Sequence, residues 1–233
     1  MTTLKENTES IRALCEKIAN LPKNVYDEAY AEGYAEAENR WKPYDREVKC
    51  LVLNGKQYLD TAFKPDQNTR VVFSGELHSV IDAHWLYGVR KSSAVDCFGA
   101  ILAYDTSINM WYGTNSKVTT IPQLNQRFTI DQNKNQTTIT YADGTVTSVI
   151  TNTEQEFTST YNLYLGSISL AMATANERTS FHGGMYPCKV YDGDILVRDY
   201  IPVIDKKGVA CAYDKVSGGL FYSGSDTPFG YEE

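Results

Sequence analysis

From Val48 onward the sequence runs in short alternating stretches separated by turn dipeptides, and no helical period is sustained between them. Thr137, Ile139 and Tyr141 share one side of an extended run, Asp143-Gly144 follows, and Val146, Ser148 and Ile150 alternate after it. Period-2 alternation on both sides of a dipeptide that tolerates positive φ predicts a β-hairpin. Lys189-Val190-Tyr191, Asp192-Gly193 and the run Ile195 to Tyr200 repeat that logic, and Asn54-Gly55 marks a third tight turn. Thr69 to Gly75 and Phe128-Thr129-Ile130 read as further strands. Many short strands at intervals of roughly ten residues predict a sandwich or a barrel. The 17 tyrosines, 16 glycines and Thr/Ser/Asn-rich middle also favour an all-β body. No repeat or linker divides 46–233, so that stretch is read as one domain.

Residues 1–45 follow a different period. Leu4, Ile11 and Ile18 are spaced by seven, and Leu14 and Leu21 occupy the matching second seam position, with Asn7 its polar exception. This a/d stripe predicts a helical, coiled-coil-like stalk. Pro22 interrupts it, because proline removes a backbone donor and disfavours helix at the preceding residue. Tyr26, Tyr30, Ala37 and Trp41 then recur at helical spacing among acidic residues, until Lys42-Pro43. So short a seam is marginal as an isolated helix in water. It implies either self-association or one amphipathic helix folded back on its own domain. Ile at a with Leu at d permits a dimer but does not fix the strand number.

Net charge is -7, which argues against a nucleic-acid partner, since that would need clustered Lys and Arg. The start MTTLKENTES lacks a basic stretch followed by an apolar run, and nothing later is apolar enough to cross a bilayer. Neither a signal peptide nor membrane insertion is therefore expected. The five cysteines are scattered without a C-x-x-C pair, which predicts reduced, mostly buried thiols rather than a disulfide scaffold or zinc site.

Four segments resemble one family. Leu53-Asn54-Gly55-Lys56-Gln57-Tyr58-Leu59-Asp60-Thr61-Ala62-Phe63-Lys64-Pro65 resembles its opening strand, and Phe157 to Leu165 its central strand. Cys188 to Pro202 resembles its Lys-aliphatic-Tyr…Val-Arg-Asp-aromatic hairpin, and Gly208 to Asp214 with Gly219 to Ser223 its closing hairpin. The family is that of concanavalin A-like, laminin-G-like jelly rolls found in structural proteins of tailed bacteriophages and prophages. The likeness covers about 48–230. Tyr30-Ala31-Glu32-Gly33-Tyr34 also resembles the helical stretch that often precedes such domains. The resemblance implies a two-sheet antiparallel jelly-roll sandwich behind an α-helical stalk, in a virion context, with relatives that often bind glycans or cell surfaces. It transfers no site. In the hairpin, Arg198-Asp199 is expected to face solvent, and Pro202 to mark an edge or a strand end.

Catalysis on such a sandwich would need two carboxylates flanking a glycosidic bond. No Glu-x-Asp-x-x-Glu run occurs. Glu154-Gln155-Glu156 is the nearest approach, in a stretch read as an exposed edge or loop. His78, His84 and His182 form no H-E-x-x-H, and His182 before Gly183-Gly184 reads as a loop residue. Asp192-Gly193-Asp194 has too few oxygen donors for a calcium loop and is explained as a turn. No catalytic residue, metal or cofactor is expected. Sugars are held by flat aromatic faces and short polar side chains. Trp85, Tyr87, Trp111, Tyr112 and Asn115 combine both and form the candidate ligand set. Trp111 and Tyr112 are adjacent, so in a strand one points to the core and the other outward.

The resemblance implies a non-enzymatic phage appendage: a tail-fibre, head-fibre or decoration protein, made in bacterial cytoplasm and displayed on the virion. Leu4, Ile11, Leu14, Ile18 and Leu21 would hold a homo-oligomer, a trimer by analogy with fibres or else a dimer. The N-terminus would contact other virion proteins. The sandwich would bind host-surface or mucosal glycan. A glycan-cleaving enzyme on the same fold and a purely structural decoration protein are the alternatives.

Overall fold

The computed structural model describes residues 42–79, 84–91, 95–103, 107–120, 122–170 and 180–233, together with Ile11 and Cys15. The chain divides into two units, Met1–Lys42 and Pro43–Glu233. The expected stalk lies outside the described residues; Ile11, the one seam residue among those described, is exposed.

Among the described residues the second unit is built from strands alone. In chain order they are β1 (Tyr44–Glu47), β2 (Cys50–Asn54), β3 (Leu59–Asp60), β4 (Thr69–Leu77), β5 (His84–Arg90), β6 (Cys97–Ala103), β7 (Ser107–Gly113), β8 (Asn115–Thr120), β9 (Arg127–Asn133) and β10 (Gln136–Tyr141). There follow β11 (Val146–Thr151), β12 (Tyr164–Leu165), β13 (Ser169–Leu170), β14 (His182–Met185), β15 (Cys188–Asp192), β16 (Ile195–Asp205), β17 (Ala210–Asp214), β18 (Gly219–Phe221) and β19 (Gly230–Glu232). A 12-stranded sheet runs β11-β10-β9-β4-β15-β16-β17-β18, with β1, β2, β14 and β19 attached off that path. A 7-stranded sheet runs β3-β12-β5-β6-β7-β8, with β13 added against β5. Of these pairings only β13 with β5 is parallel.

The two sheets face each other across one core. Phe73 on β4 meets Tyr87 on β5 with ring centroids 5.5 Å apart, and both are fully buried. Alternation decides who goes inside: Phe128, Ile130 and Gln132 of β9 point inward while Thr129 and Asp131 stay half-exposed. A polar link crosses the interior. The Tyr87 hydroxyl donates to Gln132 Oε1 at 2.9 Å, and Gln132 Nε2 donates to the Trp111 carbonyl at 2.9 Å. Both bonds tie one sheet to the other. A buried donor or acceptor left unpaired costs about 1–3 kcal/mol, so this link fixes how the sheets sit as well as holding them.

Both predicted hairpins are present in the expected registers. Thr137 pairs with Ile150 and Ile139 with Ser148, around Gly144 at φ 86°. Lys189 pairs with Asp199 and Val190 with Arg198, around Gly193 at φ 58°. Three expectations are corrected. The central-strand motif yields only the two-residue β12, because its first half is an extended loop touching β4's entry through the Asp66–Thr158 bridge. Arg198 does not face solvent: its Nε donates to the Thr61 carbonyl at 2.8 Å and lies 3.8 Å from the buried Asp214 carboxylate. Pro202 sits inside the 11-residue β16. There it falls in a gap, since β16 pairs with β15 as far as Tyr200 and with β1 only from Val203. Its missing N–H therefore breaks no ladder.

Candidate functional site

One end of the sandwich carries an open cleft of about 400 Å³, lined by Gln67, Asn68, Tyr112, Lys134, Asn135, Glu154, Gln155 and Glu156. Four separate segments meet there: the loop entering β4, the end of β7, the two-residue turn between β9 and β10, and the loop after β11.

Neutral amides build its frame. Gln155 Oε1 accepts from the Thr114 backbone N–H at 2.9 Å and the Thr114 hydroxyl at 2.8 Å, while its Nε2 donates to the Tyr112 carbonyl. The loop after β11 is thus fastened to the β7–β8 turn. Gly113 makes that contact feasible. Its φ is +64°, and a Cβ there would lie 2.2 Å from the Gln155 amide carbon. Asn135 is held from behind: its Nδ2 donates to the Asn152 carbonyl at 3.0 Å, and its own carbonyl accepts from the Asn152 backbone N–H at 2.8 Å. Asn152, itself buried, donates through Nδ2 to the Met110 carbonyl at 3.2 Å. Gln67 Oε1 accepts from the Phe157 N–H at 3.3 Å.

Tyr112 is the floor. It is 4% exposed, its ring meets Phe157 edge-on at 5.2 Å, and its hydroxyl donates to the Gln67 carbonyl at 2.9 Å. Burial raises its phenol pKa, and the nearby Glu154 and Asp66 carboxylates push in the same direction. Around this frame the Asn68, Lys134, Glu154 and Glu156 side chains are solvent-exposed. Carboxamides, an ammonium and carboxylates on a rigid frame can together donate to and accept from a polyhydroxylated ligand.

The predicted ligand set does not converge. The alternation of β7 turns Tyr112 to the core and Trp111 to the outer face of the 7-stranded sheet, where it is half-buried opposite Ser116. Asn115 opens β8 opposite Tyr112, also half-buried. Trp85 is 3% exposed, and its ring lies so close over Gly88 that a Cβ there would meet it at 2.7 Å. Tyr87 is wholly enclosed between the sheets, and burial holds its phenol well above the ordinary value. A ring without an open face cannot stack on a sugar, so Trp85 and Tyr87 are core residues, and Tyr112 contributes to the cleft as its floor.

The cleft residues the sequence reading passed over are Gln67, Asn68, Lys134 and Asn135. Lys134 adopts φ +56° in the turn, a conformation for which lysine gives no sequence signal. Glu154-Gln155-Glu156 was legible only as a pair of acids, whereas Gln155 between them is the clamp. His182 is also corrected: it lies in β14, paired with Asn54, with its ring 5.7 Å from that of His84, and burial lowers its pKa. Among the described residues no group of three or more His, Cys, Asp or Glu is arranged to hold a metal, and no helix is long and apolar enough to cross a membrane.

No protein-family model and no curated protein matches the chain. Solved structures resembling it include a proposed carbohydrate-binding protein of Bacteroides ovatus, at 12% identity and TM-score 0.48, covering 78% of this chain and 62% of that one. The carbohydrate-binding module of Ruminococcus gnavus IT-sialidase, bound to α2,3-sialyllactose, is 14% identical with TM-score 0.46, covering 65% and 92%. Mouse laminin α1 domains LG4-5 are 15% identical with TM-score 0.45, covering 65% and 43%. The chain thus spans under two thirds of the Bacteroides and laminin chains. The two-sheet antiparallel sandwich stands on its own strand pairings, and these likenesses transfer neither site nor ligand.

Proposed function

We propose that this protein is a non-enzymatic glycan-binding protein whose site is the end cleft. The observation that carries this reading is the division of labour within the cleft. Gln155, Asn135 and Gln67 are consumed in holding four segments together, while Asn68, Lys134, Glu154 and Glu156 are left exposed around a tyrosine floor. Polar groups fixed by a packed frame lose little freedom on binding, which is what a weak, hydroxyl-rich ligand requires. Binding of the full chain to a glycan array tests it, with Asn68→Trp to fill the cleft and Trp111→Ala as a distant control. Loss with the first and retention with the second is expected. The reverse pattern would move the site to the outer sheet face.

A glycan-cleaving enzyme is the second reading, because Glu154 and Glu156 do line the cleft. A general acid at neutral pH needs a carboxyl shielded from water, and both side chains are exposed. Turnover of any bound glycan, abolished by Glu154→Gln or Glu156→Gln, would favour the enzyme.

The proposed setting is a tailed-phage particle, as a tail-fibre, head-fibre or decoration protein anchored to other virion proteins through its N-terminus. The support is the sequence resemblance over 48–230 and the seam of Leu4, Ile11, Leu14, Ile18 and Leu21. Several copies on one particle would raise the avidity of a weak cleft. Sedimentation of the full chain is expected to give an oligomer that Leu14→Glu dissociates, and antibody labelling is expected to find the protein on particles. A monomeric full chain removes the oligomer, and unlabelled particles remove the virion setting.

A further inference from the structure

The charges in the cleft are unequal. One ammonium, Lys134, stands against two carboxylates, Glu154 and Glu156, on either side of the clamped Gln155. A third carboxylate, Asp66, lies close enough to act on the Tyr112 phenol together with Glu154. Among the described residues no ion pair joins Lys134, Glu154 or Glu156 to another side chain. Arg70 pairs with Asp131 and Lys91 with Asp96 instead. Gln155, between the two glutamates in sequence, is fastened through both its amide oxygen and its amide nitrogen.

From this geometry we infer that the cleft selects amine-bearing glycans over acidic ones. The inference rests on the glycan-binding reading above and specifies its ligand class. A protonated amino sugar placed between Glu154 and Glu156 gains attraction from both, and its remaining hydroxyls meet Asn68. A uronic or sialic acid in the same place faces two like charges with only Lys134 to answer them. Exposed pairs of this kind each contribute about 0.2–1 kcal/mol, so the two glutamates together give on the order of a fivefold preference.

The test is calorimetric titration of the full chain with three probes of equal length: a chito-oligosaccharide, its fully deacetylated form, and an oligogalacturonate. The pH is mildly acidic, so that the free amines carry protons. The deacetylated oligomer is expected to bind about fivefold more tightly than the acetylated one, and the oligogalacturonate more weakly than either. Added salt should erase the difference, because exposed charges are screened. In the Glu154→Gln, Glu156→Gln double variant the preference for the deacetylated oligomer over the acetylated one should disappear. Equal binding of all three probes, or a preference that survives in the double variant, overturns the charge inference and leaves glycan binding standing. Binding of none of them removes both.

Discussion

The two turns of the closing β16–β17–β18 hairpins and the cleft end treat their carboxylates in opposite ways. At the hairpin, acids are buried and fully used. Asp214 is wholly enclosed and accepts from the backbone N–H groups of Asp199 at 2.8 Å, Val216 at 3.1 Å and Ser217 at 3.3 Å, and from the Ser217 hydroxyl at 2.7 Å. Asp205, 4% exposed, accepts from Lys207 and Val209 N–H groups at 2.8 Å and from the Tyr222 hydroxyl at 2.8 Å. At the cleft, neutral amides do the fastening and the acids stay in water. A buried carboxylate committed to backbone and hydroxyl donors is a structural part with little capacity left for a ligand. One left exposed beside a rigid frame keeps that capacity.

The sharpest way to break this comparison is Asp214→Ala. It strands three backbone donors and leaves the largely buried Arg198 without its carboxylate, so unfolding in urea should show a loss of about 3–5 kcal/mol. A loss below 1 kcal/mol would mean the hairpin acids are as dispensable as the cleft acids. Gly113→Ala comes next. The left-handed φ and the collision with Gln155 should cost about 1–3 kcal/mol, and glycan binding should fall with stability because the clamp is displaced. Intact binding in that variant would separate the clamp from the site.

A smaller effect concerns acid. Backbone donation from Val209, with the Tyr222 hydroxyl and the Lys207 N–H, holds the Asp205 pKa below its ordinary value. The sign follows: a carboxylate whose folded pKa is depressed stabilises the fold above its unfolded pKa, near 3.9, and loses that contribution as pH falls through the folded value. Asp205→Asn should therefore flatten the acid limb of the stability curve below about pH 4. An unchanged limb would place the acid sensitivity elsewhere. The least effect is expected from Glu156→Gln, within about 0.5 kcal/mol by the same urea measurement. A drop comparable to that of Asp214→Ala would erase the distinction between the two regions.

Legibility followed the range of the interactions. The hairpins at Asp143-Gly144 and Asp192-Gly193 were readable because turn and flanking alternation are contiguous in sequence. Pro202 misled because its tolerance depends on which neighbour pairs with β16 at that point, a fact supplied by β1 and β15 together. Arg198 misled because alternation within one strand does not reveal that Thr61 and Asp214 close over it. Trp85 and Tyr87 read as sugar platforms by composition, yet the opposing sheet claims Tyr87 and the strand's own Gly88 receives Trp85. The cleft was the least legible feature, since Gln67, Tyr112, Lys134 and Gln155 come from three loops and the end of β7, with no shared motif.

By itself the sequence determined that 46–233 would form an all-β body of short strands and hairpins, because strand period and turn chemistry act between near neighbours. Only the tertiary structure decided which polar residues are fastened and which remain open to a ligand. That outcome depends on which loops are brought to the same end of the two sheets, and it is settled by pairings between residues far apart in the chain.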